Sequence, residues 1–183
     1  GGDADVGSSS PVISGDGRRV AFVSTATNLV SGDDNAMQDV FVRDLAAGTT
    51  LRASVSTNGG EANGPSYYPA ISHDGRFVAF SSLADNLTPG GESRTLVRDT
   101  TSLITTGAPY AFASSLSLSG DGRYLTVHDS SFTGLLDRFA GLSSSLIAPG
   151  SARWYWPALS GNGRYIAVVE DPSGAIIVLP NPR

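Results

Sequence analysis

A five-residue pattern, Ser-x-Asp/Asn-Gly-Arg, occurs four times in this chain, at Ser14–Arg18, Ser72–Arg76, Ser119–Arg123 and Ser160–Arg164. The acid or amide positions, Asp16, Asp74, Asp121 and Asn162, are 58, 47 and 41 residues apart. A repeat constrains a fold more than any single motif, because each copy is one supersecondary unit that buries its faces on its neighbours. Periods in this range suit a four-stranded propeller blade and are too long for an ankyrin or leucine-rich repeat. Each copy also sits between two apolar stretches, for example Val12-Ile13 before the first and Val20-Ala21-Phe22-Val23 after it. Residues 1–32 align without a gap on residues 59–90, with 18 of 32 positions identical.

The local chemistry follows from the motif. Glycine supplies a positive φ, and Asp or Asn can bond the backbone two residues on, so each copy reads as a tight turn joining antiparallel strands. The flanking runs are short, β-branched or aromatic, and bounded by Gly, Asp, Asn and Pro, and no segment sustains a 3.6-residue period. The expected architecture is therefore all-β, a β-propeller of about four four-stranded blades near 8–56, 66–107, 114–148 and 154–183. Third strands are expected near 39–44, 94–99, 134–139 and 174–179, and fourth strands near 50–56, 103–107 and 144–148. The third repeat looks degenerate, with Leu116 in place of the proline and a third strand lacking the Val-x-Asp ending.

The first and second repeats read Pro-x-Ile-Ser-x-Asp-Gly-Arg-x-Val-Ala-Phe (Pro11–Phe22 and Pro69–Phe80), and the first continues into Asp39-Val40-Phe41-Val42-Arg43-Asp44. This pattern resembles the TolB-like β-propeller repeat, and the resemblance covers nearly the whole chain. It implies an extracellular or periplasmic protein that acts as a binding platform, in a family whose rings commonly have six to eight blades and whose relatives include lyases and propellers fused to hydrolases. The sialidase Asp-box, the Trp-Asp propeller signature and the double-glycine kelch pattern fit less well. Four blades are fewer than such a ring needs. Three solutions follow: the chain is part of a longer one, two copies complete a ring as a homodimer, or four blades close alone. The first is the favoured expectation and the homodimer the second.

Composition narrows the function classes. All 12 basic residues are arginine, and the net charge is -5 with a pI of about 4.8, which argues against a nucleic-acid partner. The chain has no cysteine, so disulfides, thiolate metal sites and a cysteine nucleophile are excluded. No apolar run approaches the roughly 20 residues of a membrane span.

Two groups of residues stand out. Tyr67-Tyr68 precede Pro69, and Trp154-Tyr155-Trp156 precede Pro157, on what reads as the connection from an outer strand to the next innermost strand. Flat side chains with a polar handle suit stacking on a sugar or gripping a peptide; wedging between blades is the structural alternative. The loop Asp33-Asp34-Asn35-Ala36-Met37-Gln38-Asp39 places Asp33, Asn35 and Asp39 oxygens at short spacing, which suits Ca²⁺, although the EF-hand glycine and terminal Glu are missing. A solvated turn is its structural alternative, and no other cofactor is expected. The turn acids are read as turn chemistry, since they recur in every blade. His73 and His128 lack partners at ligand spacing, and there is no Gly-x-Ser-x-Gly elbow. The loop acids Asp85, Glu92, Asp129, Glu170 and Asp171 leave a paired-carboxylate reaction open. The Asn86-Leu87-Thr88 sequon is assigned no role. The expected function is a non-enzymatic binding or scaffold module facing a protein or glycan. The alternatives are a fragment of a propeller enzyme and a purely structural array of blades.

Overall fold

The computed structural model describes residues 4–130, 132–146, 153–171 and 173–182, with the backbone alone for Arg153 and Trp154. Fifteen strands and no helix occur among the described residues. They form four antiparallel meanders in chain order. Blade one holds β1 (Ser8–Ile13), β2 (Arg19–Ser24), β3 (Asp39–Asp44) and β4 (Thr49–Arg52). Blade two holds β5 (Ser66–Ile71), β6 (Phe77–Ser82), β7 (Thr95–Asp99) and β8 (Ile104–Ala108). Blade three holds β9 (Ser115–Leu118), β10 (Tyr124–His128), β11 (Thr133–Asp137) and β12 (Leu142–Ser145). Blade four holds β13 (Arg153–Leu159), β14 (Tyr165–Asp171) and β15 (Ile176–Pro180). The first strands β1, β5, β9 and β13 contact one another in that order, so they are the innermost strands around an axis.

The repeated motif makes the turn that its residues dictate. In the first copy the Ser14 hydroxyl bonds Asp16 Oδ1 at 2.6 Å, and Asp16 Oδ1 accepts the Arg18 N–H at 3.0 Å. Ser14 Oγ accepts the Arg19 N–H at 2.9 Å, where the second strand begins. The turn glycines Gly17, Gly75, Gly122 and Gly163 have φ of 71, 72, 69 and 68°, a region that costs an L-residue its Cβ contacts. Asn162 accepts from Arg164 N–H at 3.0 Å, so it loses the charge of its counterparts but keeps the acceptor.

The period of two then sorts side chains between neighbouring blades. In β6, Val78 and Phe80 face back into a core with Val40 and Val42 of blade one, while Phe77 and Ala79 face forward onto Leu125, Val127 and Leu136 of blade three. Tyr124 and Leu135 pack in turn against Ile166 and Val168 of blade four. A strand buried on both faces needs apolar or small residues throughout, and all six residues of β6 are buried.

Three expectations change. The fourth strand of blade one ends at Arg52, and the next residues form an isolated bridge, Val55 with Glu61, instead of continuing to residue 56. The fourth strand of blade three begins earlier than expected, at Leu142, while residues 147 and 148 of the expected strand lie outside the described residues. The third strand of blade three is not degenerate at its end. Its register is two residues earlier than the expected 134–139 would give, so Asp137 holds the place of Asp44 and Asp99. Each of these carboxylates pairs with an arginine at a turn: Arg19 with Asp44, Arg76 with Asp99 and Arg123 with Asp137. The adjacent Arg43 and Arg98 do not make these pairs; they bond Thr50 and Thr105 across to the fourth strand.

Candidate functional site

Three innermost strands carry a bulge at the same place. Register shifts fall between Ser9 and Val12 in β1, Tyr67 and Ala70 in β5, and Tyr155 and Ala158 in β13. Ser10, Tyr68 and Trp156 sit in these bulges with φ of 51, 53 and 45°. A bulge redirects a side chain and raises the local twist. The aromatic residues are thus within the innermost strands and not, as the sequence suggested, in the connections leading to them. The reason is that the extra bulge residue lets the strand start before the proline, so Tyr67 still pairs with Ser81 and Tyr155 with Val169.

The bulges gather aromatic side chains into two groups. Tyr67 and Tyr68 have ring centroids 6.0 Å apart, and Phe112 meets both edge-on at 5.8 and 6.0 Å. Tyr155 meets the His128 ring at 5.1 Å and the Trp156 ring at 6.3 Å. Tyr68 is 43% exposed and Trp156 68% exposed, while Tyr67, Phe112 and Tyr155 are half-buried supports beneath them. The Trp154 side chain lies outside the described residues. Beside Tyr68 runs a cleft of about 230 Å³ lined by Ser10, Pro11, Val12, Pro69, Ser114, Ser115 and Leu116 as well. Its walls come from the innermost strands of blades one, two and three, so it lies on the axial side. Phe112 and His128 were not among the expected binding residues. Phe112 does come shortly before the innermost strand of the third blade, and that placement is the signal for it.

The acidic loop folds into a closed ionic cluster. Asp33, Asp39 and Glu61 offer carboxylate oxygens within 4.8 Å of one another, the one such acidic or imidazole group among the described residues. Arg52 enters among them: its Nη1 lies 3.0 Å from Asp33, 3.6 Å from Asp39 and 2.5 Å from Glu61. Asn35 uses both ends of its amide locally. Its Nδ2 donates to Asp39 and to the Ala62 carbonyl, and its Oδ1 accepts the Met37 N–H. Burial pushes Asp33 and Asp39 up from the ordinary carboxylate value, against the pull of Arg52. Burial also opposes ionisation of Glu61, but donors from Arg52, Asp34 N–H and Asn35 N–H outweigh it and hold Glu61 low. The guanidinium therefore stands where a Ca²⁺ ion on these carboxylates would sit, and such an ion would have to displace it. Glu61 and Arg52 were missed in the sequence. The signal was in the repeats: the positions of Asp39 and Arg52 are Arg94 and Gly107 in blade two, so acid and base change together.

The remaining candidates do not converge. His73 packs on a neighbouring turn, where a Cβ on Gly15 would fall 2.1 Å from its Nδ1. His128 is buried, bonds Thr133 Oγ1 at 3.0 Å, and is held below the usual imidazole value by burial. Asp85 accepts from Asn63 at 2.6 Å, and Glu170 accepts from the Ser173 hydroxyl at 3.0 Å.

Four antiparallel meanders stacked by their faces around an axial cleft define a partial β-propeller. No family model and no curated protein sequence matches the chain. Among solved structures it is similar to TolB from Acinetobacter baumannii, with a TM-score of 0.60, 19% identity, and coverage of 96% of this chain and 41% of that one. A putative TolB from Agrobacterium tumefaciens gives a TM-score of 0.60 and 18% identity over 93% of this chain and 56% of that one. A chain of the mitotic checkpoint complex aligns with a TM-score of 0.60 and 15% identity over 94% of this chain and 46% of that one. The fold is that of a TolB-like β-propeller, and the chain spans about half the length of these neighbours or less.

Proposed function

We propose that this chain is a non-enzymatic binding module, extracellular or periplasmic, whose axial mouth receives a partner protein or glycan. The observation that carries this reading is the pair Tyr68 and Trp156. Both are large aromatics, both are exposed, and both are held at φ near 50° in the same bulge of alternate blades. A non-glycine residue in that region costs on the order of 1–3 kcal/mol, and such positions cluster at ligand sites. Ser10 shows that the bulge itself needs no aromatic residue. Tyr67, Phe112 and Tyr155 brace the exposed rings, so little side-chain entropy is lost when they grip a ligand. Trp154 is assigned to the same site from its sequence position.

The test is binding by glycan array and by pull-down with the Tyr68→Ala, Trp156→Ala double variant beside the unaltered chain. Loss of signal in one of the two formats supports the site and tells glycan from protein. Signal of equal strength from both chains overturns it. The Ser10→Ala variant, at the same bulge without an aromatic, controls for backbone effects.

A further inference from the structure

The joint between blades two and three contains a cleft, and strand register explains it. Val42 pairs with Leu51 in blade one and Val97 with Thr106 in blade two, so Thr106 holds the place of Leu51. Leu51 packs on the apolar core between blades one and two. From the facing blade, Arg98 reaches back across that first joint to the Ser56 carbonyl at 3.1 Å. Leu136 holds its place in blade three, because Leu125 pairs with Leu136 as Val78 pairs with Arg98. Gly141, which stands where blade two has Leu103, adds no side chain. The shorter residues leave a volume of about 250 Å³, whose lining includes Val97, Thr106, Ala108, Pro109, Leu136 and Arg138.

Arg138 brings a charge to this cleft that the fold does not use. Its N–H bonds the Arg123 carbonyl, as Leu45 bonds Arg18, Thr100 bonds Arg76 and Asn181 bonds Arg164, so the four positions are equivalent. The Arg138 Nη1 donates to the Gly122 carbonyl, and its Cζ lies 4.6 Å from the centre of the Phe77 ring. At the equivalent turns Asn181 Nδ2 donates to the Gly163 carbonyl at 2.7 Å, and the Thr100 hydroxyl to that of Gly75 at 3.5 Å. A neutral donor therefore suffices for the turn. No carboxylate pairs with Arg138 among the described residues: Asp99 is taken by Arg76 and Asp137 by Arg123. Burial disfavours the Arg138 charge, while Asp99 favours it and Arg76 opposes it. A half-buried guanidinium without an acid is costly, and an anion in the cleft supplies the missing partner.

We propose that this cleft binds a small monocarboxylate with a short apolar tail, its carboxylate on Arg138 and its tail against Val97, Ala108, Pro109 and Leu136. Val97, Ala108 and Leu136 are buried apolar residues, so the floor favours an organic acid over an inorganic anion. At about 30 Å³ a water, the volume is that of roughly eight waters, which limits the acid to about ten non-hydrogen atoms. The walls come from β7, β8 and β11 and from the turn after β11, not from the innermost strands. The site is thus separate from the axial cleft beside Tyr68 and does not depend on it.

The test is titration of the isotope-labelled 183-residue chain with isocaproate, read by backbone amide shifts. Shifts at Gly107, Ala108 and Gly141 are expected to saturate with a dissociation constant of about 1 mM or lower. Isocaproamide, which lacks the charge, and acetate, which lacks the tail, should each bind about tenfold more weakly or worse. Arg138→Gln keeps a neutral donor for the Gly122 carbonyl, as Asn181 provides at its own turn, and should weaken isocaproate binding about tenfold or more. Thr106→Leu restores the blade-one residue, fills the cleft and should abolish the shifts. Both variants should keep the circular dichroism spectrum of the unaltered chain. A glycyl-glycyl-leucine peptide carries the same carboxylate and tail: its binding beside that of isocaproate assigns the site to chain ends, and its exclusion assigns it to free acids. No saturable shift at about ten times the expected constant, equal binding of the amide, or equal binding by either variant overturns the proposal.

Discussion

Arg52 Nη1 lies 3.0 Å from Asp33 Oδ1, with both side chains almost fully buried. One guanidinium thus serves three carboxylates, those of Asp33, Asp39 and Glu61. Removing one partner of a buried ionic group leaves uncompensated charge, at a cost of about 3–5 kcal/mol. Arg52→Ala should therefore lower the melting temperature sharply. It also opens a hole lined by three oxygen donors, the kind of site a hard cation takes. Millimolar Ca²⁺ should raise the melting temperature of the variant and leave that of the unaltered chain in place, as should addition of a chelator to the latter. Stabilisation of the unaltered chain by Ca²⁺ would show that the ion displaces the guanidinium.

Asp99 is held well below the usual carboxylate range, chiefly by hydrogen bonds from Arg76 at 3.1 and 2.7 Å, against a burial cost and with help from the Thr101 and Ser102 N–H groups. Arg76 is half exposed, so solvent screens the pair and about 1 kcal/mol is expected from it at neutral pH. The folded-state value lies below the unfolded one. The contribution is therefore complete above about pH 4 and is lost as the pH falls below it toward the folded value. Melts of Asp99→Asn and the unaltered chain should differ at pH 7 and converge progressively below pH 4. A gap that stays constant with pH would show that packing, and not charge, sets it.

Ser10 is exposed and holds a φ of 51°. Glycine at this position would remove the left-handed penalty of about 1–2 kcal/mol, offset in part by the greater freedom of glycine in the unfolded chain. Ser10→Gly should raise the melting temperature by about 1–3 °C. A fall would mean that the bulge is not strained.

Gly122 and Gly17 share a turn conformation but differ in what lies above them. A Cβ on Gly122 would meet the Phe77 ring at 2.2 Å, and one on Gly17 would meet nothing described within 4 Å. Gly122→Ala should cost about 3 kcal/mol, from the backbone and from overpacking together. Gly17→Ala should cost about 1 kcal/mol, from the backbone alone. Denaturant melts at low protein concentration measure both, and equal losses would contradict the difference in seating.

The turns were legible because their chemistry is local. Ser14, Asp16 and Gly17 make their bonds within five residues, so four copies of the same letters produce four copies of the same turn. The alternation in β6 was equally readable as a strand. Which neighbour each face meets was not, because Val78 and Phe77 differ in sequence by one position and in space by a whole blade. The aromatic site was half legible. Tyr67, Tyr68, Tyr155 and Trp156 could be picked out by type, but their bulges depend on pairing with β6 and β14. Asp137 was misread for the same reason: only its pairing with Tyr124 puts it level with Asp99.

The sequence by itself determined the repeat, the turn chemistry, the all-β class and the TolB-like blade, since each rests on residues near one another in the chain. The tertiary structure decided what each copy does with its position. It put Arg52 among carboxylates 13 and 19 residues before it and 9 residues after it, where the loop alone suggested a metal ion. It packed Phe77 and Tyr124 against the turn glycine of the next blade, whereas Tyr165 is exposed among the described residues. Identical local letters acquire different roles because burial is set by the neighbour, and a neighbour in a stacked array is fixed by packing between blades rather than by sequence within one.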